Sequence, residues 1–190
     1  MTGRSALVLT ASDRAAEGTR EDTSGQVVAD RLATLEFSVE RKVVADEQWL
    51  IEEALVEGAG RHQLIVTTGG TGLTPRDVTP QATTAVIDYE VPGLAEAMRA
   101  EGRRSTPLAS LSRGIVGVRG RTLIVNLPGR PASSAPWRGQ TVIPGPFGVV
   151  KSWRTDPGAY RGDQAPVRNR RPHLLAPQTG PRDLPSFPRR

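Results

Sequence analysis

Short apolar runs alternate with amphipathic segments through the first two thirds of the chain. The runs are rich in β-branched residues and predict strands, whereas the segments between them repeat apolar residues every three or four positions and predict helices. The predicted strands cover 6–10, 37–44, 64–66 and 123–127, and the predicted helices cover 24–35, 48–56, 79–88 and 93–101. This alternation favours parallel strands joined by crossover helices. We therefore predict an α/β fold, a three-layer α/β/α sandwich with a mostly parallel sheet.

The periodic pattern stops after Gly129. The last 61 residues contain 11 Pro, 10 Arg and 6 Gly, and no window in them sustains a helical or an alternating pattern. Such a composition is typical of disordered chain. We therefore predict two regions, a folded domain over 1–129 and a disordered Pro/Arg/Gly-rich tail over 130–190.

The tail has three interpretations: a basic tether for an acidic partner, a solvated segment without a role, or a segment translated out of the ancestral reading frame. The first 129 residues use 13 Arg and one Lys, as expected of a gene rich in G and C. Reading such DNA out of frame yields mainly Arg, Pro, Gly and Ala codons, which is the basis of the third hypothesis. Translating the coding DNA in the other two frames from codon 129 tests it.

The net charge of +5 belongs to the tail rather than to the predicted domain. Residues 1–129 carry 14 basic and 17 acidic side chains, whereas residues 130–190 carry 11 basic and 3 acidic side chains. A mildly acidic domain gives no reason to expect a nucleic-acid-binding face. The net charge therefore does not predict a nucleic-acid partner.

Cysteine and long apolar runs are both absent from the sequence. Without cysteine there can be no disulfide, no zinc site built on thiolates and no thiol nucleophile. No apolar run approaches the roughly 20 residues of a membrane span, and the first 14 residues are interpreted as a first strand rather than a signal peptide. We therefore expect a cytoplasmic protein without a membrane partner.

The segment 64–83 places a glycine cluster directly after a predicted buried strand. Gly69, Gly70 and Gly72 follow the strand end, and a helix is predicted to begin at Thr79. Backbone amides at such a glycine-rich strand end can close on an anion, and ligands of open α/β sheets bind at this edge. The segment is neither a Walker loop nor a dinucleotide-binding GxGxxG sequence, so it predicts phosphate contact without naming the ligand. The alternative is a tight strand-to-helix turn.

Charged residues follow the glycines and the neighbouring strand ends. Arg76 suits bidentate binding of a phosphate, and Asp77 is a hard oxygen ligand suited to Mg²⁺. Asp13 follows the first predicted strand and Asp46 follows the second. Each acid by itself is better explained as a helix cap or turn residue. Together, beside the glycines, the three carboxylates predict a Mg²⁺-nucleotide site.

Several motifs are similar to those of a known family, namely TTGGTG, PRDVTP, VPGLAEAMR, LSRGIVGVRG and TLIVNLPG. They resemble the molybdopterin adenylyltransferase family of molybdenum cofactor biosynthesis proteins, and they are similar also to the G domain of gephyrin. The resemblance spans residues 4–129. It implies an α/β sandwich that assembles as a homotrimer and uses Mg-ATP to adenylylate molybdopterin before metal insertion.

The resemblance also implies roles for particular residues. Asp77 and Asp46 would be catalytic and would serve Mg²⁺ and the reacting phosphates. The residues implied to bind substrate or phosphate are Ser12, Asp13, Gly69, Gly70, Thr71, Gly72, Arg76, Pro128 and Gly129. Mg²⁺ is therefore the implied metal, ATP the implied adenylyl donor and molybdopterin the implied acceptor.

Two other functions stay open at this point. The chain could be a non-catalytic pterin-binding or scaffold module, because a fold alone does not determine a function. It could also be an inactive product, because the tail stands where the resemblance implies a long amphipathic helix that closes the sheet. Release of pyrophosphate from Mg-ATP in the presence of molybdopterin distinguishes the enzyme from both alternatives.

Overall fold

The structure is a computed structural model that describes residues 4–129. The strands within this range are β1 (Arg4–Ala11), β2 (Phe37–Val44), β3 (Leu64–Thr68), β4 (Tyr89–Glu90), β5 (Val116–Arg119) and β6 (Thr122–Leu127). The helices are α1 (Asp13–Ala16), α2 (Thr23–Ala33), α3 (Gln48–Ala59), α4 (Thr79–Val86), α5 (Pro92–Ser105) and a 3₁₀ helix (Pro107–Leu111). None of these described helices has the length and apolar character that crossing a bilayer requires. The predicted tail lies outside the described residues.

The strands form a six-stranded sheet in the order β2-β1-β3-β6-β5-β4. The first four strands of this order pair in parallel, while β5 runs antiparallel to both of its neighbours. β3 is buried along its whole length, and a strand covered on both faces needs a continuous apolar run rather than alternation. The prediction of an α/β fold with a mostly parallel sheet is confirmed.

Two apolar cores lie on opposite faces of the sheet. Successive strand residues point to opposite faces, so Val8 of β1 enters one core and Leu9 enters the other. The first core packs the sheet against α2 and α5, and the second packs it against α3 and α4. The helices therefore form an outer layer on each side, as predicted for a three-layer sandwich.

The structure differs from the predicted elements mainly where segments are short. Neither β4 nor β5 was predicted, because two and four residues are too few to display an alternating pattern. The helix predicted over 79–88 ends at Val86. It ends there because the Asp88 amide donates to the carbonyl of Val118 in β5 and thereby joins the sheet.

Asp22 is the N-cap of α2 and connects this helix to two strands. Its carboxylate accepts the amide of Gly25 at 2.8 Å, the hydroxyl of Thr10 in β1 at 2.9 Å and a guanidinium nitrogen of Arg41 in β2 at 2.8 Å. Burial alone would raise the pKa of Asp22, but these three donors outweigh burial and hold that pKa below its ordinary value. One charged side chain thus fixes where α2 starts against the sheet.

Candidate active site

Four parallel strands end at the same edge of the sheet, and the loops that follow them form the candidate site. Ala11 of β1 is in register with Val44 of β2, and Thr68 of β3 is in register with Leu127 of β6. The segments that start there carry all the predicted site residues, namely Ser12, Asp13, Asp46, Gly69, Gly70, Thr71, Gly72, Arg76, Asp77, Pro128 and Gly129. Ligands of open parallel sheets bind at this carboxyl edge. The topology thus brings the predicted residues to one edge.

Gly69 and Gly70 shape the loop after β3 through their backbone conformation. Their φ angles are +98° and +61°, in the left-handed region that favours glycine. A Cβ atom on Gly69 would lie 2.3 Å from the carbonyl oxygen of Ala11, and one on Gly70 would lie 2.3 Å from Thr79 Oγ1. Both glycines are therefore required by the fold itself, and phosphate contact at this loop stays a prediction.

Asp13 and Asp46 join two of the loops by exchanging hydrogen bonds. The amide of Asp13 donates to Asp46 Oδ2 at 3.0 Å, and the amide of Asp46 donates to Asp13 Oδ1 at 2.9 Å. The two carboxylates therefore lie side by side although 33 positions separate them in the sequence. Each carboxylate is oriented by the backbone of the other loop.

The Arg76 guanidinium binds Asp13 and Glu47 rather than pointing away from the protein. It contacts both carboxylate oxygens of Asp13, at 2.7 and 2.8 Å, and Glu47 Oε1 at 2.8 Å. The bond from Arg76 and the amide of Asp46 hold the pKa of Asp13 below its ordinary value. Phosphate binding by Arg76 stays a prediction. To bind a phosphate, Arg76 would have to release Asp13 or Glu47, or contact the phosphate together with these carboxylates.

Asp46 and Asp77 stand in different electrostatic surroundings. Burial raises the pKa of Asp46 above its ordinary value and outweighs the hydrogen bond from the Asp13 amide. Burial acts on Asp77 in the same direction, but the hydroxyl and amide of Thr74, which donate to Asp77 Oδ2 at 2.6 and 2.8 Å, lower the pKa of Asp77 below its ordinary value. Asp77 is therefore the more firmly ionised of the two.

The Mg²⁺-nucleotide site predicted from Asp13, Asp46 and Asp77 stays a prediction. Among residues 4–129, no three acidic or histidine side chains are grouped closely enough to hold a metal ion together. Asp13 is instead neutralised by Arg76. A metal at this edge would therefore depend on Asp46 and Asp77, together with oxygen atoms of a substrate.

Residues 7–144 match the protein family described as "Probable molybdopterin binding domain". This match includes every loop of the candidate site and more than half of the chain. The chain belongs to this family.

Named relatives and solved structures agree with that assignment. Molybdopterin adenylyltransferase of Helicobacter pylori strain J99 is 46% identical over 133 residues, which cover 66% of this chain and 74% of the relative. The Escherichia coli K12 protein of the same name is 42% identical over 127 residues, covering 64% of this chain and 65% of the relative. A crystal structure of the molybdopterin biosynthesis enzyme MoaB from Thermus thermophilus is 50% identical with a TM-score of 0.63, covering 67% of this chain and 82% of that one.

Sequence reasoning assigned no role to Arg113, which holds the glycine loop of this molybdopterin-binding domain. Its amide donates to the carbonyl of Thr71 at 3.0 Å and its Nε to the carbonyl of Gly72 at 2.6 Å, while Nη2 donates to the carbonyl of Asp77. These bonds connect both ends of the segment 72–77. The motif LSRGIVGVRG contains Arg113, but only the fold shows that it faces a loop about 40 positions earlier.

The remaining predicted residues of the molybdopterin-binding domain lie around the same loop. A Cβ atom on Gly129 would lie 2.7 Å from the Cα of Gly69, so the backbones after β6 and β3 are in close contact. Ser12 caps α1, where its hydroxyl accepts the amide of Ala15. Thr71 is buried, whereas Pro128 is exposed beside Gly129. Binding by these residues stays a prediction.

Proposed function

We propose that the chain transfers an adenylyl group from ATP to molybdopterin, with Asp46 and Asp77 at the reacting phosphates. The observation that carries this proposal is the carboxyl edge, where Asp46 lies beside Gly70 and Asp77 lies beside Gly72 in a member of the molybdopterin-binding family. Relatives that are 42–46% identical are named molybdopterin adenylyltransferase. Strand ends of this kind are where phosphate-bearing ligands bind.

The reaction exchanges one phosphorus–oxygen bond for another. A phosphate oxygen of molybdopterin attacks the α-phosphorus of ATP, and the bond between that phosphorus and the oxygen bridging to the β-phosphorus breaks. Pyrophosphate leaves with the electron pair, and the products are adenylylated molybdopterin and pyrophosphate. Since the attacking group is already an anion, the protein needs no strong general base and must mainly position groups and stabilise charge.

Within this proposal the glycine loop supplies donors from Gly70 onward. The Gly69 amide already donates to the carbonyl of Leu127 at 3.2 Å. Among the described residues, the amides of Gly70 and Thr71 donate to no other group. Gly69 then contributes through its backbone conformation, and the amides of Gly70 and Thr71 are the donors that would stabilise an anionic oxygen.

Mg²⁺ fits the donor set of this edge. Mg²⁺ is usually bound by one or two carboxylates together with substrate phosphates and water, so it does not need a closed cage of protein ligands. Asp46 and Asp77 would hold it, and the ion would neutralise negative charge on the phosphates. The chain itself orients Asp46 through the Asp13 amide and keeps Asp77 ionised through Thr74.

The proposal is tested by incubating the purified full chain with Mg-ATP and molybdopterin and measuring pyrophosphate. We expect release that requires molybdopterin and stops when EDTA removes Mg²⁺. Binding of molybdopterin without any pyrophosphate would instead identify a binding module. Absence of both binding and release would identify an inactive product.

We also propose that the chain acts as a homotrimer in the cytoplasm. Exposed apolar side chains on the described surface, such as Trp49, Leu73 and Leu108, support self-association because assembly would remove them from water. Multi-angle light scattering tests the assembly, with a mass of three chains expected. The cytoplasm is proposed because it holds the ATP pool that the reaction consumes.

A further inference from the structure

Thr79 carries a buried hydroxyl that the proposed chemistry does not yet use. The residue is fully buried at the first position of α4, and its Oγ1 has no hydrogen-bond partner among residues 4–129. An unpaired buried hydroxyl lowers stability, so such groups call for an explanation. A valine would fill the same space without that cost.

The position of the Thr79 hydroxyl is fixed by the backbone around it. The Thr79 amide donates to the carbonyl of Gly70 at 3.1 Å, and the Thr79 carbonyl accepts the hydroxyl of Thr83 at 2.9 Å. Burial on all sides prevents the side chain from turning towards water. The hydroxyl is therefore held next to the glycine loop.

The open side of Gly70 lies close both to this hydroxyl and to an oxygen of Asp46. A Cβ atom on Gly70 would lie 2.3 Å from Thr79 Oγ1 and 3.5 Å from Asp46 Oδ1. Asp46 Oδ2 accepts the Asp13 amide, whereas Asp46 Oδ1 accepts no hydrogen bond from the described part of the chain. An unpaired donor and an unpaired acceptor thus both lie close to the position that glycine leaves open.

We propose that Thr79 is a positioning residue for Asp46, whose hydroxyl donates to Asp46 Oδ1 when a phosphate-bearing nucleotide and its divalent cation bind at this edge. The inference rests on the proposed function, because it assigns Asp46 to the reacting phosphates. The Asp13 amide then donates to one carboxylate oxygen of Asp46, and the Thr79 hydroxyl donates to the other. Partners of this kind orient a metal-binding carboxylate, and losing one typically costs 10–100-fold in affinity or activity.

The test compares Thr79→Val, which removes the hydroxyl at nearly constant shape, with Thr79→Ser, which keeps it. We expect Thr79→Val to retain the melting temperature of the unliganded protein, because it replaces an unpaired polar atom with a methyl group. We expect it to bind Mn²⁺ about 10–100-fold more weakly in the presence of ATP, measured by electron paramagnetic resonance, and to lower kcat by a similar factor. Thr79→Ser keeps the donor and should restore both to near the wild-type values.

Thr84→Val is the matched control from the same helix. The Thr84 hydroxyl donates to the carbonyl of Pro80 at 2.9 Å, a bond within α4 that involves neither Thr79 nor Asp46. Mn²⁺ affinity and kcat of Thr84→Val should therefore stay at the wild-type values. A loss of Mn²⁺ affinity in Thr84→Val as large as in Thr79→Val would show that the effect comes from α4 as a whole and would overturn the role given to the Thr79 hydroxyl.

Wild-type Mn²⁺ affinity in Thr79→Val would overturn the inference, and so would a Thr79→Ser variant as weak as Thr79→Val. If Thr79→Val does not fold, Thr79→Ala and Thr79→Ser form the decisive pair, because they differ only by the hydroxyl. The Mn²⁺ measurement does not depend on turnover. A wild-type protein that binds Mn²⁺ with ATP but releases no pyrophosphate would refute the proposed function and still leave the Thr79 comparison decisive.

Discussion

Asp77 keeps its negative charge because its own loop stabilises it. The hydroxyl and amide of Thr74 donate to one carboxylate oxygen, and the charge of Arg113 acts in the same direction. A carboxylate with a lowered pKa is ionised throughout the neutral range. At the scale of the single residue, Asp77 therefore carries the negative charge that it needs to bind a cation or to order phosphate groups.

Asp77→Asn should reduce adenylyl transfer by about a hundredfold or more, which corresponds to roughly 3 kcal/mol of transition-state stabilisation. The fold should persist, because an Asn side-chain oxygen still accepts the bonds from Thr74. Pyrophosphate release and circular dichroism measure the two effects. Glu53→Gln, an exposed change on α3, is the control and should behave as wild type. Near-normal turnover by Asp77→Asn would contradict the role assigned to Asp77.

Gly70→Ala should weaken ATP binding more than tenfold, since about 1.4 kcal/mol lost in the bound state gives that factor. The added Cβ would meet Thr79 Oγ1 at 2.3 Å and would strain a backbone with positive φ. Gly120→Ala is a matched control, because its φ of +56° imposes similar strain while its Cβ would meet nothing within 4 Å. If calorimetry gives the same ATP affinity for Gly70→Ala and Gly120→Ala, the role of Gly70 is limited to forming the turn.

α2 depends on its first turn to join the sheet. Asp22 caps the helix and also binds Thr10 of β1 and Arg41 of β2, and only 8% of its side-chain surface is exposed. At the scale of the element, one carboxylate therefore satisfies helix amides and fixes the helix against two strands. Loss of such a cap removes local and tertiary contacts together.

Asp22→Ala should lower the free energy of unfolding by about 2 kcal/mol, the upper part of the range for a lost helix cap, because buried partners lose an acceptor as well. Asp30→Ala, on the exposed surface of the same helix, should change it by less than about 0.5 kcal/mol. Urea denaturation followed by circular dichroism measures both. Equal effects of the two substitutions would show that the Asp22 contacts contribute nothing beyond helix propensity.

Carboxylates with shifted pKa values connect the stability of the whole domain to pH. The pKa values of Asp13, Asp22, Glu57 and Asp77 are lowered, so the stability they add is present above the ordinary values of 3.8 for Asp and 4.5 for Glu. It is lost as pH falls through the lowered values. Asp46 has a raised pKa and acts in the opposite direction, with its contribution lost as pH rises through that value.

The melting temperature should therefore fall when the pH is lowered from about 5 to about 3, since the shielded carboxylate of Asp22 then loses the charge that binds Arg41 and the first turn of α2. Asp22→Asn should flatten this decrease, because Asp22 is the least exposed of the paired carboxylates and an amide does not titrate in this range. Differential scanning fluorimetry across the pH series measures the effect. If the melting temperature of Asp22→Asn falls as steeply with pH as that of the wild type, groups other than Asp22 cause the acid sensitivity.

The layer architecture and the edge that carries the site followed from the sequence because they depend on local patterns. Buried β-branched runs such as Leu64–Thr68 and helical spacing such as that of α3 are visible in single segments. A glycine cluster directly after a strand likewise indicates the carboxyl edge of a parallel sheet. Short β4 and β5 carried too few residues for any pattern, so only pairing within the sheet defines them.

Only the tertiary structure decided which charges meet. Asp13 and Asp46 are 33 positions apart and exchange bonds because β1 and β2 are parallel neighbours that end in register. Arg76 is a phosphate ligand in the sequence interpretation, but the fold places Asp13 and Glu47 within its reach. The orientation of the Thr79 hydroxyl towards Gly70 depends on the packing of α4 against the glycine loop. Residue types and strand order are encoded locally, whereas hydrogen-bond partners are set by distances between segments that only the folded chain brings together.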